Sequence, residues 1–395
     1  MEYNFSDKIR ELKPSAIREI FKSLSDPTII SFAAGNPAPE SFPVEELRVL
    51  ADEIFVNEPT KALQYSITEG YPPLRTEVAK RQKERFGIGS EEDTVMIVSG
   101  GQQGIELCAK VFCNEGDTVI CENPSFIGAL NSFRSCGVKT VGVSLDDDGI
   151  NIEELENTFR THPKARFLYT IPTFHNPSGI TTSLEKRQKI YELARKYDKI
   201  ILEDNPYGEL RFDGEDIPTI KSMDTDGRVV YCSSFSKILS AGMRVGFIVA
   251  NNTIVQKMTV AKQSEDVHTN IFFQMLCYKY MTQCDMNAHI EKIKDIYRHK
   301  CQLMLSALDE YMPSEIKFTR PQGGLFIWCT LPVGIDSGEF IKKAIERKVA
   351  VVPGSTFNCD TTAPSQSFRL NYSTPSDEQI VEGVKILGDL AKDML

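Results

Sequence analysis

The 395-residue chain lacks the features that mark several large classes of protein. It has no apolar run near the ~18–20 residues that a membrane-spanning helix needs. Its most apolar stretches, such as Val245 to Ala250, stop after a few residues. Positive charge is in deficit. With 45 basic against 55 acidic side chains the formal net charge is −10, which argues against a nucleic-acid binder, because affinity for the phosphate backbone rests on clustered Lys and Arg. None of the ten cysteines forms a C-x-x-C pair and the five histidines include no H-x-x-x-H pair, so the pattern predicts no protein zinc site. Most cysteines have apolar neighbours, as in Val230-Tyr231-Cys232 and Ile327-Trp328-Cys329, where a free thiol behaves as a small core hydrophobe. That usage predicts a reducing compartment, the cytoplasm. The opening residues Met1 to Asp7 show no basic region leading into an apolar one, and predict no secretory signal.

What remains is the composition of a globular protein, long enough for two or three domains or for one large α/β domain with an addition. From about residue 94 to 250, short β-branched runs alternate with helical patterns. The predicted strands are Thr94–Val98, Thr118–Cys121, Lys139–Leu145, Arg166–Thr170, Lys199–Glu203, Arg228–Cys232 and Val245–Ala250. Between several of them lie helical stretches, including Gly104–Cys113, Phe126–Cys136, Ile152–Arg160 and Leu184–Tyr197. Strands alternating with helices of that length predict an α/β fold, with a mostly parallel seven-stranded sheet covered on both faces. The texture changes after about Gln274. A long helix over Met286–Tyr311, short strands around Ile316–Thr319, Leu325–Thr330 and Phe368–Tyr372, and a helix from Ser376 onward predict a smaller α+β domain. A first helix is expected to start near Ser15. The expected division is an N-terminal segment over 1–45 that serves the smaller domain and a ligand pocket, a large domain over 46–280, and the smaller domain over 281–395.

In open α/β sheets ligands bind at the carboxyl ends of strands, so the loops there carry the chemistry. Strand Thr94–Val98 runs into Ser99-Gly100-Gly101-Gln102-Gln103-Gly104, where glycines and a helix N-terminus suit an anion. Taken singly the remaining signals are bland: Asn176-Pro177-Ser178-Gly179 is a turn, Glu203-Asp204 could cap a helix, and Lys237 after Ser236 could be solvated. Together they are specific. Asn-Pro-x-Gly is followed 28 residues later by the Asp of Asp204-x-x-Tyr207. Ser234-x-Ser236-Lys237 brings a Lys a further 33 residues on, and Arg244 follows seven later.

With that constellation the chain resembles the fold-type I, pyridoxal-phosphate-dependent aminotransferases of class I/II, and within them the 2-aminoadipate/kynurenine aminotransferase branch. The resemblance extends from Ser31-Phe32-Ala33-Ala34-Gly35-Asn36-Pro37 to Phe368-Arg369-Leu370. It implies that Lys237 holds the cofactor as an internal aldimine and then shuttles protons. Asp204 would keep the pyridine nitrogen protonated, so that the ring serves as an electron sink. Asn176 and Tyr207 would hydrogen-bond the ring's 3′-oxygen, Phe126 would stack on the ring, and Pro177 would follow a cis peptide. Gly101, Gln102, Ser234, Ser236 and Arg244 would hold the phosphate, with Tyr65 reaching it from the neighbouring subunit of a homodimer. Arg369 would bind the substrate α-carboxylate, Gly35 would contact substrate through its backbone, and Arg18 matches a residue that grips a distal carboxylate in some relatives. As a helical Arg beside Glu19, Arg18 is more often a solvated residue than a ligand contact. Phe126 replaces a Tyr and Asn205 a second Asp of close relatives. The implied activity is amino-group transfer from an L-amino acid to a 2-oxo acid such as 2-oxoglutarate, by a ping-pong mechanism. A β-lyase on the same scaffold is the alternative. A DNA-binding regulator with a domain of this type is a remote one, since only 34 residues precede Gly35.

Overall fold

A computed structural model describes residues 3–11 and 26–395. Strand β1 (Ile30–Ser31) precedes a large sheet built from β2 (Asp93–Val98), β3 (Thr118–Asn123), β4 (Lys139–Asp146), β5 (Gly149–Ile150), β6 (Phe167–Thr170), β7 (Ile200–Asp204), β8 (Val229–Ser234) and β9 (Gly246–Asn251). Their spatial order is β2-β9-β8-β7-β6-β3-β4-β5. The five central strands β8, β7, β6, β3 and β4 pair in parallel, and β9 runs antiparallel between β2 and β8. All seven expected strands are present, with ends moved by up to two residues. The eighth, β5, is a two-residue return after the Asp147–Asp148 turn, too short to leave a hydrophobic pattern.

The central strands are apolar at successive positions because helices cover both faces. Phe167, Tyr169 and Leu202 point into a core with Ile105, Ala129, Leu130 and Phe133 from the helices Gly101–Phe112 and Ile127–Ser135. Leu168 and Ile201 point the opposite way, against Leu155, Phe159 and Ile190 of helices Ile152–Thr161 and Leu184–Lys196. Helix starts are fixed by side chains: Asn151 accepts the Glu154 N–H, and Asp285 accepts those of Asn287 and Ala288 at the head of Met286–Tyr311. The helices Val44–Asn57, Pro72–Phe86, Asn252–Gln263 and Ile271–Gln283 had no counterpart in the sequence reading.

A second sheet has the order β10 (Lys317–Phe318), β11 (Phe326–Thr330), β14 (Ser367–Asn371), β13 (Val352–Pro353), all antiparallel. Strand β12 (Val349–Ala350) pairs in parallel with β1, so the segment before Ala33 is joined to the C-terminal third. The expected helix from Ser15 lies outside the described residues, as does Arg18. Among the described residues no helix is long and apolar enough to cross a membrane, and no cluster of three or more metal-type side chains occurs.

Candidate active site

A cavity of about 370 Å³ opens at the carboxyl ends of β2, β6, β7 and β8. The strand period of two decides which of two adjacent carboxylates serves it. Asp204 shares the face of Leu202 and lines the cavity. Glu203 points the opposite way and accepts the backbone N–H groups of Ile220 and Lys221 at 3.0 and 2.7 Å. The Asp204 carboxylate receives a hydrogen bond of 2.8 Å from the Tyr169 hydroxyl. Burial nevertheless pushes its pKa up to about 7; the Tyr169 bond opposes the rise and the charge of nearby Glu122 adds to it. Such a buried carboxylate is stabilised by a cationic or N–H-bearing ligand.

The Ile171–Gly179 loop is held from beneath. Glu122, almost fully buried, accepts the Thr170 hydroxyl at 2.7 Å and the Ile171 N–H at 2.8 Å, and its Oε2 stands 3.2 Å from His175 Nε2. The Asn176–Pro177 peptide is cis. Asn176 uses both ends of its amide, one facing the Tyr207 hydroxyl and the other accepting from Arg369 Nη1 at 2.8 Å. The Arg369 guanidinium also donates from Nη2 to the Ala33 carbonyl at 2.8 Å. It lies over the rings of Phe326 and Phe357, at 4.2 and 5.0 Å from their centroids. Its Nε is buried without a partner, and with two of its five N–H groups committed the planar fork keeps donors for a ligand carboxylate. Burial lowers Arg369 to about 10, which keeps it charged at neutral pH. Opposite, Lys237 Nζ donates to the Gly35 carbonyl at 2.7 Å. Burial, aided by the charges of Arg369 and Arg244, lowers this lysine to about 8, so a sizeable fraction is neutral and nucleophilic near pH 7.5.

The other end of the cavity is built for an anion. Gly100 has φ +78°, outside the range of ordinary side chains, and directs the first N–H groups of helix Gly101–Phe112 inward. The Ser234 and Ser236 hydroxyls meet at 2.7 Å. Arg244, itself held at φ +54°, sends Nη1 toward Ser236 Oγ at 3.5 Å and Nη2 toward the Ser99 carbonyl at 3.4 Å. The Gln102 side chain turns away to Gly128 and Ser132, leaving its backbone for the cavity. Phe126 stands at the side wall. A flat ring with a dianionic arm, a polar edge toward Asn176 and Tyr207 and a protonated nitrogen toward Asp204 matches this donor set.

Gly35, Gly101, Gln102, Phe126, Asn176, Asp204, Tyr207, Ser234, Ser236, Lys237, Arg244 and Arg369 therefore line one cavity. Tyr65 does not; it is 81% exposed and makes an edge-on contact of 5.9 Å with His268. Sequence reasoning missed Tyr169, Phe326 and Phe357. For Phe326 a signal exists in the preceding Gly323-Gly324 pair, where any Cβ would collide with Phe174; Tyr169 and Phe357 left none. Asn205 lies beneath the cavity rather than in it, its Nδ2 donating to the Tyr231 hydroxyl at 3.0 Å.

The family model for aminotransferase class I and II matches residues 27–387. The chain is similar to aromatic-amino-acid aminotransferase 1 of Thermococcus litoralis, with 41% identity over 99% of its own length and 95% of the relative's. Among solved structures it is similar to the kynurenine aminotransferase of Pyrococcus horikoshii in complex with PMP. The TM-score is 0.95 at 40% identity, covering 99% and 97% of the two chains. The α-aminoadipate aminotransferase of Thermus thermophilus, complexed with N-(5'-phosphopyridoxyl)-L-leucine, gives 0.90 at 38% identity over 99% and 97%.

Proposed function

The chain belongs to the class I and II aminotransferases, enzymes of fold type I that depend on pyridoxal phosphate; from that premise we propose that it transfers the amino group of an L-amino acid to 2-oxoglutarate in two alternating half-reactions. The observation that carries the reading is the convergence of Lys237, Asp204, Asn176, Tyr207 and Arg369 on one cavity whose far end accepts a dianion. When bound, pyridoxal phosphate supplies an aldehyde carbon for the amino group and a ring that spreads the negative charge left on the substrate α-carbon.

The chain's own residues supply the rest. Lys237 Nζ would hold the cofactor and, once freed by an incoming amino acid, would take up and return the substrate α-proton. A pKa near 8 suits both tasks, because the amine is readily freed of its proton and still takes one up. Asp204, ionised, would pair with the ring nitrogen and keep a proton on it, and Asn176 and Tyr207 would hydrogen-bond the ring oxygen. Through Asn176 that edge is tied to Arg369, so α-carboxylate binding and ring orientation share a side chain. Arg369 receives the α-carboxylate beside two aromatic rings that help to exclude water.

Tyr65, exposed and outside its own cavity, would serve that of a second copy in a homodimer, and the cysteine usage supports a cytoplasmic compartment. Aromatic donors, kynurenine and 2-aminoadipate are the substrates to test first, from the names of the relatives. The test is an absorbance spectrum of the protein with pyridoxal phosphate, followed through additions of single amino acids. A visible band that gives way to near-ultraviolet absorption with one donor, and returns with 2-oxoglutarate, is expected. A band that persists while pyruvate and ammonia accumulate from a cysteine-type substrate would replace transfer by β-elimination.

A further inference from the structure

Beneath the anion-binding end lies a polar network that the proposed reaction does not use directly. Lys262, whose side chain is fully buried, donates from Nζ to Asp266 Oδ1 and Oδ2 at 2.7 and 2.9 Å and to Gln103 Oε1 at 2.6 Å. The same Gln103 Oε1 accepts the Ser99 backbone N–H at 2.8 Å, while Gln103 Nε2 donates to Asp266 Oδ2 and Glu265 Oε2, both at 2.9 Å. Ser99 Oγ donates to Asp266 Oδ2 at 2.6 Å and stands 3.0 Å from Thr269 Oγ1. The Ser99 carbonyl accepts from Arg244. Every polar group of Ser99 is thus committed, two of them to the Lys262–Asp266 pair, directly or through Gln103. Ser99 immediately precedes Gly100 and Gly101, whose backbone turns the helix N-terminus into the cavity.

We propose that Lys262 and Asp266 are positioning residues for phosphate binding: the pair fixes Ser99 and Gln103, and so aims both the N-terminus of helix Gly101–Phe112 and the Arg244 guanidinium at one point. This inference rests on the reading of the cavity as a pyridoxal phosphate site. The net charge of the pair is zero, so its effect is geometric rather than a contribution of positive potential. An ion pair that served only to close the end of helix Asn252–Gln263 would need no bonds to Ser99 and Gln103. Here three side-chain bonds run from Lys262 and Asp266 to those two residues, against two between Lys262 and Asp266 themselves. Loss of Asp266 leaves the Lys262 charge buried without its counter-ion, whereas removal of both keeps neutrality.

The experiment compares two probes, pyridoxal phosphate and pyridoxal, which carries the same aldehyde and ring without the phosphate. Dissociation constants are measured by absorbance for the full-length protein and for Ser99→Ala, Lys262→Arg and the neutral double variant Lys262→Met/Asp266→Asn. The double variant is expected to bind pyridoxal phosphate about tenfold more weakly while its affinity for pyridoxal changes less than about twofold. Ser99→Ala should lose about threefold for the phosphate form alone, and Lys262→Arg should restore most of the affinity. Parallel losses for both probes, or no loss for either, would overturn the inference. Failure of the unaltered protein to bind either probe would overturn the underlying site reading instead. Should the double variant not fold, the Ser99→Ala comparison decides by the same criterion.

Discussion

Replacing Tyr169 with Phe removes a single hydroxyl that touches neither cofactor nor substrate in the proposed arrangement. Its 2.8 Å bond is the hydrogen bond to the Asp204 side chain within a fully buried environment, and it holds the carboxylate's pKa down against burial. A hydrogen bond to a charged group contributes about 1.5–3 kcal/mol, equivalent to about one to two pKa units. Asp204, already at about 7, would rise to roughly 8.5. If the cofactor binds the ionised form, apparent affinity scales with the ionised fraction. At pH 7.5 that fraction falls from roughly three-quarters to roughly one-tenth, so the apparent Kd for pyridoxal phosphate should weaken roughly eightfold. At pH 10 both proteins are ionised at this position and the difference should vanish. Titration of cofactor-free protein by absorbance between pH 6.5 and 10 measures both arms. An equal deficit at pH 7.5 and pH 10 would mean that Tyr169 acts through packing, and the electrostatic argument would fail.

Three further outcomes are expected. Arg369→Met should lower kcat/KM for amino acids by about 10²–10⁴-fold, the loss of two charge-assisted bonds, while an amine without a carboxylate reacts as before; equal losses for both would contradict the clamp. Covalent capture of pyridoxal phosphate should accelerate with rising pH and level off above about 8, because Lys237 reacts only when neutral, and Lys237→Ala should show no visible band; a flat pH profile would place the reactive amine elsewhere. Gly246→Ala would put a Cβ 2.8 Å from the Gly100 carbonyl carbon and 2.9 Å from the Gly101 nitrogen. Backbone atoms yield little, so a loss of about 1–3 kcal/mol in stability and weaker phosphate affinity are expected; unchanged denaturant midpoint and cofactor affinity would show that the turn can move.

The strand-loop chemistry was legible because catalysis fixes residue types: Asn-Pro-x-Gly, Asp-x-x-Tyr and Ser-x-Ser-Lys each sit where a strand ends. The Asp-x-x-Tyr spacing and the family resemblance already single out Asp204; the side-chain alternation of the folded strand supplies the physical reason, since Glu203 is equally buried but faces the other way. Tyr169 and Phe357 could not be found from their own surroundings, because their partners Asp204 and Arg369 come from other parts of the chain. The helices before β2 escaped for a different reason. Pro72–Phe86 buries only Leu74, Val78 and Gln82, and Val44–Asn57 only Leu50 and Ile54, so neither shows a broad apolar stripe. Tyr65 lies between them on an exposed stretch, with Leu63 and Ile67 also in solvent.

Gly35 and Arg369 stand near opposite ends of the chain, yet both face Lys237 across the same cavity. The binding site therefore has no local precursor. It comes into being only after the parallel sheet has closed and the C-terminal third, pinned by the β1–β12 pairing, has docked on it. A ligand that needs all these loops has negligible affinity for the unfolded chain. By mass action it then stabilises the native state by about 2.7 kcal/mol at a hundred times its dissociation constant. The quantity of native enzyme is accordingly tied to cofactor supply, and a variant weakened in its core, far from any reacting atom, should regain its yield when refolded with excess pyridoxal phosphate.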